Sequence, residues 1–159
     1  MICAYRPFKI HSSDIPCTDK RGVVSERRIN GFFYGLFMDV AVLRNSGAMP
    51  ADPHPAYVED FALRIGQRAT LIPSAGARAY GMLIALTHSE LEQLYNAPGL
   101  DHYRPEAVLA RLLSGGALPA LCYNLRVEPR IEEKNPDYVL RLQCVLRELD
   151  FPSEYVDSI

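Results

Sequence analysis

The chain has 159 residues, enough for one domain with a core that needs no disulfide or metal to hold it. Apolar residues make up 48% and charged residues 23%, the balance of an ordinary globular protein, and a net charge of −2 excludes a broad basic surface for nucleic acid or an anionic membrane. The longest apolar runs fall far short of a membrane span, and the N-terminus lacks the apolar core of a secretory signal.

Residues 1–28 are polar and aperiodic, with turn formers at Asp14, Pro16 and Gly22, and read as an irregular or disordered N-terminal arm. A start near Val24 and Ser25, just before the first ordered strand, is the other reading. The ordered domain is expected over 29–159. Residues 30–38 form a short apolar, aromatic strand that leads into a loop or helix start, and 39–46 form a short helical turn. Between Met49 and Ala56, Pro50, Pro53 and Pro55 predict an extended loop, because each proline biases its predecessor away from helix. Phe61, Leu63 and Ile65 alternate with Ala62, Arg64 and Gly66, the period of a half-buried strand. Ala69 to Ile72 reads as a further apolar run ended by Pro73, Ser74 to Gly76 as a turn, and Ala79 to Leu86 as a buried strand.

Thr87-His-Ser-Glu90 is a capping box that opens a short helix with Leu91, Leu94 and Tyr95 on one face and Gly99 as its stop. Val108 to Leu113 and Leu118 to Val127 read as a hairpin around Ser114-Gly-Gly. Asn135-Pro136 starts a last long helix, with Leu140, Val145, Leu146 and Leu149 as its buried stripe. Pro152-Ser153 restarts a final turn over Glu154 to Val156. A strand-dominated middle and a helical end predict an α+β fold: a small mixed β-barrel or sheet with a few flanking helices.

Generic catalytic signatures are missing. His11, His54, His88 and His102 are scattered without HxxxH or HExxH spacing, so no metal site is expected. Gly31 to Gly35 is not a phosphate-binding loop, and there is no GxSxG elbow. Cys3, Cys17, Cys122 and Cys144 form no CxxC pair; Cys122 and Cys144 read as small core residues, which points to a reducing compartment, the cytoplasm. No motif calls for a cofactor.

Four segments in order resemble the γ-glutamylcyclotransferase-like family, which includes the AIG2-like proteins. Phe33 to Met38 is similar to the family's FxYGxL strand and loop. Tyr80 to Leu86, followed by Thr87 to Leu94, is similar to its V-x-G-x-L-Y-x-L strand and xxELxxLD helix. Tyr103-Arg104 and the hairpin with Tyr123 come third, and Asn135 to Tyr138 with Leu149 to Tyr155 matches the family's ending. The resemblance covers roughly residues 31–159 and implies the family's small barrel. It further implies release of 5-oxoproline by intramolecular acyl transfer, in which the substrate's own amine attacks its γ-carbonyl. Such chemistry needs a base, an acid and oxyanion donors, because the substrate itself supplies proximity.

By the same resemblance, the backbone of Tyr34, Gly35, Leu36 and Phe37 binds the γ-glutamyl group, and Tyr103 and Tyr123 adjoin the cavity. The family's acidic LDxxEG segment reads Leu94-Tyr95-Asn96-Ala97-Pro98-Gly99 here, so Tyr95 replaces the aspartate and Pro98 the catalytic glutamate. Proline transfers no proton. Asp101 is the foremost substitute acid, ahead of Glu106 and Glu90. The expected partner is a small molecule with a γ-glutamyl or amino-acid-like group. Two functions follow: a cyclotransferase with a relocated acid, or a non-catalytic ligand-binding or interaction protein on the same fold. The sequence does not specify an oligomeric state.

Overall fold

A computed structural model describes residues 26–159. The proposed arm therefore lies almost wholly outside the described residues, together with Cys3, Cys17 and the alternative start at Val24 and Ser25. Strand β1 (Arg28–Phe33) is followed by a 3-10 turn (Leu36–Met38), α1 (Val40–Asn45), β2 (Ala51–Ile65), β3 (Ala69–Thr87), α2 (His88–Tyr95), β4 (Tyr103–Leu112), β5 (Ala117–Leu125), α3 (Pro136–Glu148) and α4 (Ser153–Asp157). The strands close into a barrel in the order β1-β3-β2-β4-β5. Closure is by a parallel pairing of β1 with β5, at Gly31 opposite Leu121 and Phe32 opposite Cys122; the other pairings are antiparallel. The α+β barrel with flanking helices is the architecture that the sequence predicts.

The core has two parts, and strand alternation divides residues between them. Inside the barrel pack Phe32, Tyr34, Ala56, Val58, Ala79, Leu83, Ala110, Ala120 and Cys122. Alanine is frequent there because a five-stranded barrel leaves little interior volume. Outside it, Phe33, Met82, Ile84 and Leu86 meet Leu43, Leu91, Leu94, Leu142, Leu146 and Val156 from the four helices. β1 and β3 are thus buried on both faces, which is why their central segments read as continuous apolar runs.

Several expectations change once the chain is paired. The proline-rich 49–56 segment is not a loop: β2 begins at Ala51, and a register shift between Ala51 and His54 absorbs Asp52 and Pro53. Proline excludes helix but not an extended strand at a bulge. Pro55 pairs with Met82 across the sheet, and its carbonyl accepts from the Leu113 N–H at 3.0 Å. Ser74 to Gly76 is not a chain reversal either. β3 runs through it, and residues 74–77 stand opposite Asp60 alone, between the pairs Glu59–Arg78 and Phe61–Pro73. Asp60 (φ +62°) and Gly76 (φ +77°) take up the bulge, and Asp60 Oδ1 accepts the Gly76 N–H at 2.8 Å.

On α3 the buried pair is Leu142 and Leu146, while Leu140 is 61% exposed. Two residues of helix turn a side chain about 200° away, so Leu140 and Leu142 cannot share a face. Cys144, midway between Leu142 and Leu146, is exposed for the same reason, whereas Cys122 is buried as expected. Both helix starts form as the sequence suggests. Asn135 caps Tyr138 N–H, with Pro136 in the first turn, and Thr87 and Glu90 complete a capping box. α2 ends at Tyr95, before the expected stop; Gly99 (φ +87°) belongs to the following turn. The Ser114-Gly-Gly hairpin joins β4 to β5.

Gly81 lies where β3 passes the end of β1. A Cβ there would overlap the Phe33 carbonyl oxygen and come within 2.9 Å of Phe32 Cζ. Backbone cannot swing aside as a side chain can, so Gly81→Ala should lower stability by about 1–3 kcal/mol, read as a lower urea midpoint with unchanged slope. Glu90 also joins elements: Oε2 accepts from Thr87 N and Oε1 from Met49 N, each at 2.7 Å, and Arg28 stands at 3.9 Å. Burial pushes its pKa up, but the Thr87 and Met49 N–H donors, the Thr87 hydroxyl and Arg28 outweigh this and lower it below the usual carboxylate range. A depressed folded pKa gives stability above the unfolded pKa that is lost as the pH falls through the folded one. Glu90→Gln should therefore cost about 1 kcal/mol at neutral pH. Its gap from wild type in urea unfolding should narrow in acid.

Candidate functional site

Beside the mouth of the barrel is a cavity of about 280 Å³. The turn after β1 supplies Tyr34, Gly35, Leu36 and Phe37, α1 supplies Val42, and the β2–β3 turn supplies Gln67 and Arg68. Tyr95 comes from the end of α2, Gly99 and Leu100 from the turn after it, Tyr103 from β4, Tyr123 from β5, and Tyr138 and Arg141 from α3. Tyr34, Gly35, Leu36, Phe37, Tyr103 and Tyr123, spread over ninety positions of sequence, are thus brought to one recess.

Tyrosines build its walls. Tyr95 stacks on Tyr123 with centroids 3.7 Å apart and planes within 5°, and it meets Tyr103 at 5.9 Å and Phe37 edge-on at 6.4 Å. The Tyr34 hydroxyl donates to the Tyr123 carbonyl at 2.6 Å, tying the end of β1 to β5, and the Tyr103 hydroxyl donates to the Ala69 carbonyl at 2.6 Å. The Tyr138 hydroxyl lies against the loop backbone, so that a Cβ on Gly35 would be only 2.6 Å from it. A larger residue at 35 would displace the Tyr138 hydroxyl from the loop. Burial is the main cause that raises the pKa of Tyr34, Tyr95, Tyr103, Tyr123 and Tyr138. All five phenols stay protonated at neutral pH, which makes them hydrogen-bonding groups and not bases.

Among the described residues no aspartate or glutamate lines this cavity. Asp101 faces elsewhere: its side chain is 61% exposed, 3.8 Å from His102, and it lines a neighbouring groove with His88, Glu92 and Arg104. Tyr95, Tyr103 and Tyr123 line both recesses, so the two share a tyrosine wall. Glu106 accepts from Asn124 Nδ2 at 2.8 Å, and Glu90 is held in the capping box described above. Pro98 sits in the turn after α2 but is not on the cavity surface, although Gly99 and Leu100 are. Among the described residues no group of three or more His, Cys, Asp or Glu could hold a metal ion.

Sequence reasoning missed Tyr138, Arg68, Arg141 and Gln67. Tyr138 carried a usable signal, because it is two residues beyond Pro136 in the first turn of a helix. The arginines carried none: each is one of many scattered along the chain, and only folding brings these two together.

Among the described residues no helix is long and apolar enough to cross a membrane. No family model matches the sequence, and no curated protein does. The fold, however, has solved counterparts. It is similar to a γ-glutamyl cyclotransferase with a TM-score of 0.69 and 19% identity, over 83% of this chain and 86% of that one. An uncharacterized human protein gives a TM-score of 0.69 and 22% identity, over 84% of this chain and 86% of its own. An AIG2-like protein from Mus musculus gives 0.50 and 16%, over 69% and 89%. The protein has the fold of γ-glutamyl cyclotransferase and of the AIG2-like proteins.

Proposed function

We propose that this protein is a γ-glutamylcyclotransferase-like protein that binds a small ligand with a γ-glutamyl or amino-acid-like group in the tyrosine-walled cavity, without the carboxylate-driven turnover that the resemblance implies. The observation that carries this is a cavity of ligand size with no aspartate or glutamate on its surface among the described residues. Cyclisation to 5-oxoproline requires removal of a proton from the substrate ammonium and delivery of one to the leaving amine. Among the described residues the cavity offers five phenols that burial keeps protonated, and two arginines, none of them a base near neutral pH. Pro98, at the position that the resemblance gives to the catalytic glutamate, supplies nothing in its place.

What remains suits binding. Aromatic faces accept an apolar or planar body. The Tyr34–Phe37 turn, to which the resemblance assigns γ-glutamyl recognition, lies on the cavity lining. A recess that is open, rather than filled by side chains, favours a ligand site over a purely structural module. The free cysteines, with Cys144 exposed, fit a reducing compartment, and we place the protein in the cytoplasm on that ground.

The competing reading is a cyclotransferase with Asp101 as acid, favoured by the tyrosine wall that the cavity shares with the Asp101 groove. Release of 5-oxoproline from a panel of γ-glutamyl amines and γ-glutamyl amino acids separates the two. Wild type and Asp101→Asn should both show only the uncatalysed rate, while a bound panel member raises the melting temperature of both. Turnover by wild type that Asp101→Asn abolishes would replace the binding reading with the enzymatic one.

A further inference from the structure

The charge of the cavity is one-sided. Arg68 and Arg141 line it, and no carboxylate among the described residues does. Neither arginine lies in an ion pair with a described aspartate or glutamate. Arg68 Nη2 reaches the turn after α2, where a Cβ on Gly99 would be 3.6 Å away. The positive charge of Arg68 acts on the Tyr103 hydroxyl, and that of Arg141 on the Tyr138 hydroxyl, each against the rise that burial causes. Two cations from separate elements, half-buried Arg68 of the β2–β3 turn and exposed Arg141 of α3, therefore line one tyrosine-walled recess.

Two guanidinium groups beside a low-dielectric wall attract an anion strongly, and their forked donors match a carboxylate in particular. We infer that the cavity anchors its ligand through a carboxylate paired with Arg68 and Arg141, the rest of the ligand lying among the tyrosines. This rests on the reading of the cavity as a ligand site and names the class of ligand that site takes.

Three probes of nearly equal size isolate the charges: Nα-acetyl-L-glutamine, with a carboxylate only; L-glutamine, with both charges; and Nα-acetyl-L-glutaminamide, with neither. Titration calorimetry on the full chain should show the two carboxylates, Nα-acetyl-L-glutamine and L-glutamine, binding about tenfold or more tightly than Nα-acetyl-L-glutaminamide, the size expected of a charge-assisted hydrogen bond. Arg68→Gln and Arg141→Gln should each remove that advantage, and Arg141→Lys, which keeps the charge but loses the fork, should retain part of it. Circular dichroism checks that each variant is folded. If the three probes bind alike, or the glutamine variants keep the preference, the carboxylate anchor is wrong while the ligand cavity stands. If none of the probes binds, both the anchor and the ligand-site reading fall.

Discussion

Phe32 points into the barrel and Phe33 out toward the helices, and across the sheet Leu83 points in while Met82 and Ile84 point out. This double burial of β1 and β3 is the constraint on which the remaining architecture depends. A strand that is apolar on both faces must be covered on both, so the barrel closes over one side and α1 to α4 pack the other. Register is then fixed, because a slip of one residue would exchange the two cores. The chain that leaves β1 at Phe33 has to turn at Tyr34 and Gly35 beneath Tyr138 of α3. The cavity is a consequence of that exit: it fills the angle between the barrel mouth and the helix that covers it.

The chemistry of the recess follows from what surrounds it. Tyrosine is well suited to this boundary, since its ring can join the core while its hydroxyl finds a partner at the edge. Tyr34 and Tyr103 each spend their hydroxyl on a backbone carbonyl, which makes them part of the scaffold as well as part of the wall. The acidic groups near the barrel mouth are occupied or face away. Glu90 joins a helix start to the segment before β2, Glu106 holds Asn124, and Asp101 is turned toward solvent and His102. A fold known from a γ-glutamyl cyclotransferase thus carries, in this chain, a recess with cationic and aromatic character. A fold of this kind constrains chemistry little, because the barrel is maintained by apolar alternation, and exchanging a polar residue on a turn leaves that alternation untouched.

The sequence by itself determined the features that are local. The capping box at Thr87 and Glu90, the Asn135-Pro136 start and the glycine hairpin between β4 and β5 depend on neighbours within a few positions, and all form as read. So did the general architecture, because runs of strand signal followed by a helical end leave few ways to cover the apolar faces. Only the tertiary structure decided what depends on partners distant in sequence. It carried β2 and β3 through the prolines and through Ser74 to Gly76 by means of bulges, since strand pairing outweighs a local turn preference. It chose Leu142 over Leu140 as the buried face of α3, because helix rotation is fixed by what lies beneath. It turned Asp101 away from the cavity and brought Arg68 and Arg141, seventy-three positions apart in the chain, to its surface. The identity of each residue was legible in advance, but the charge of a cavity is a sum over groups that only folding brings together.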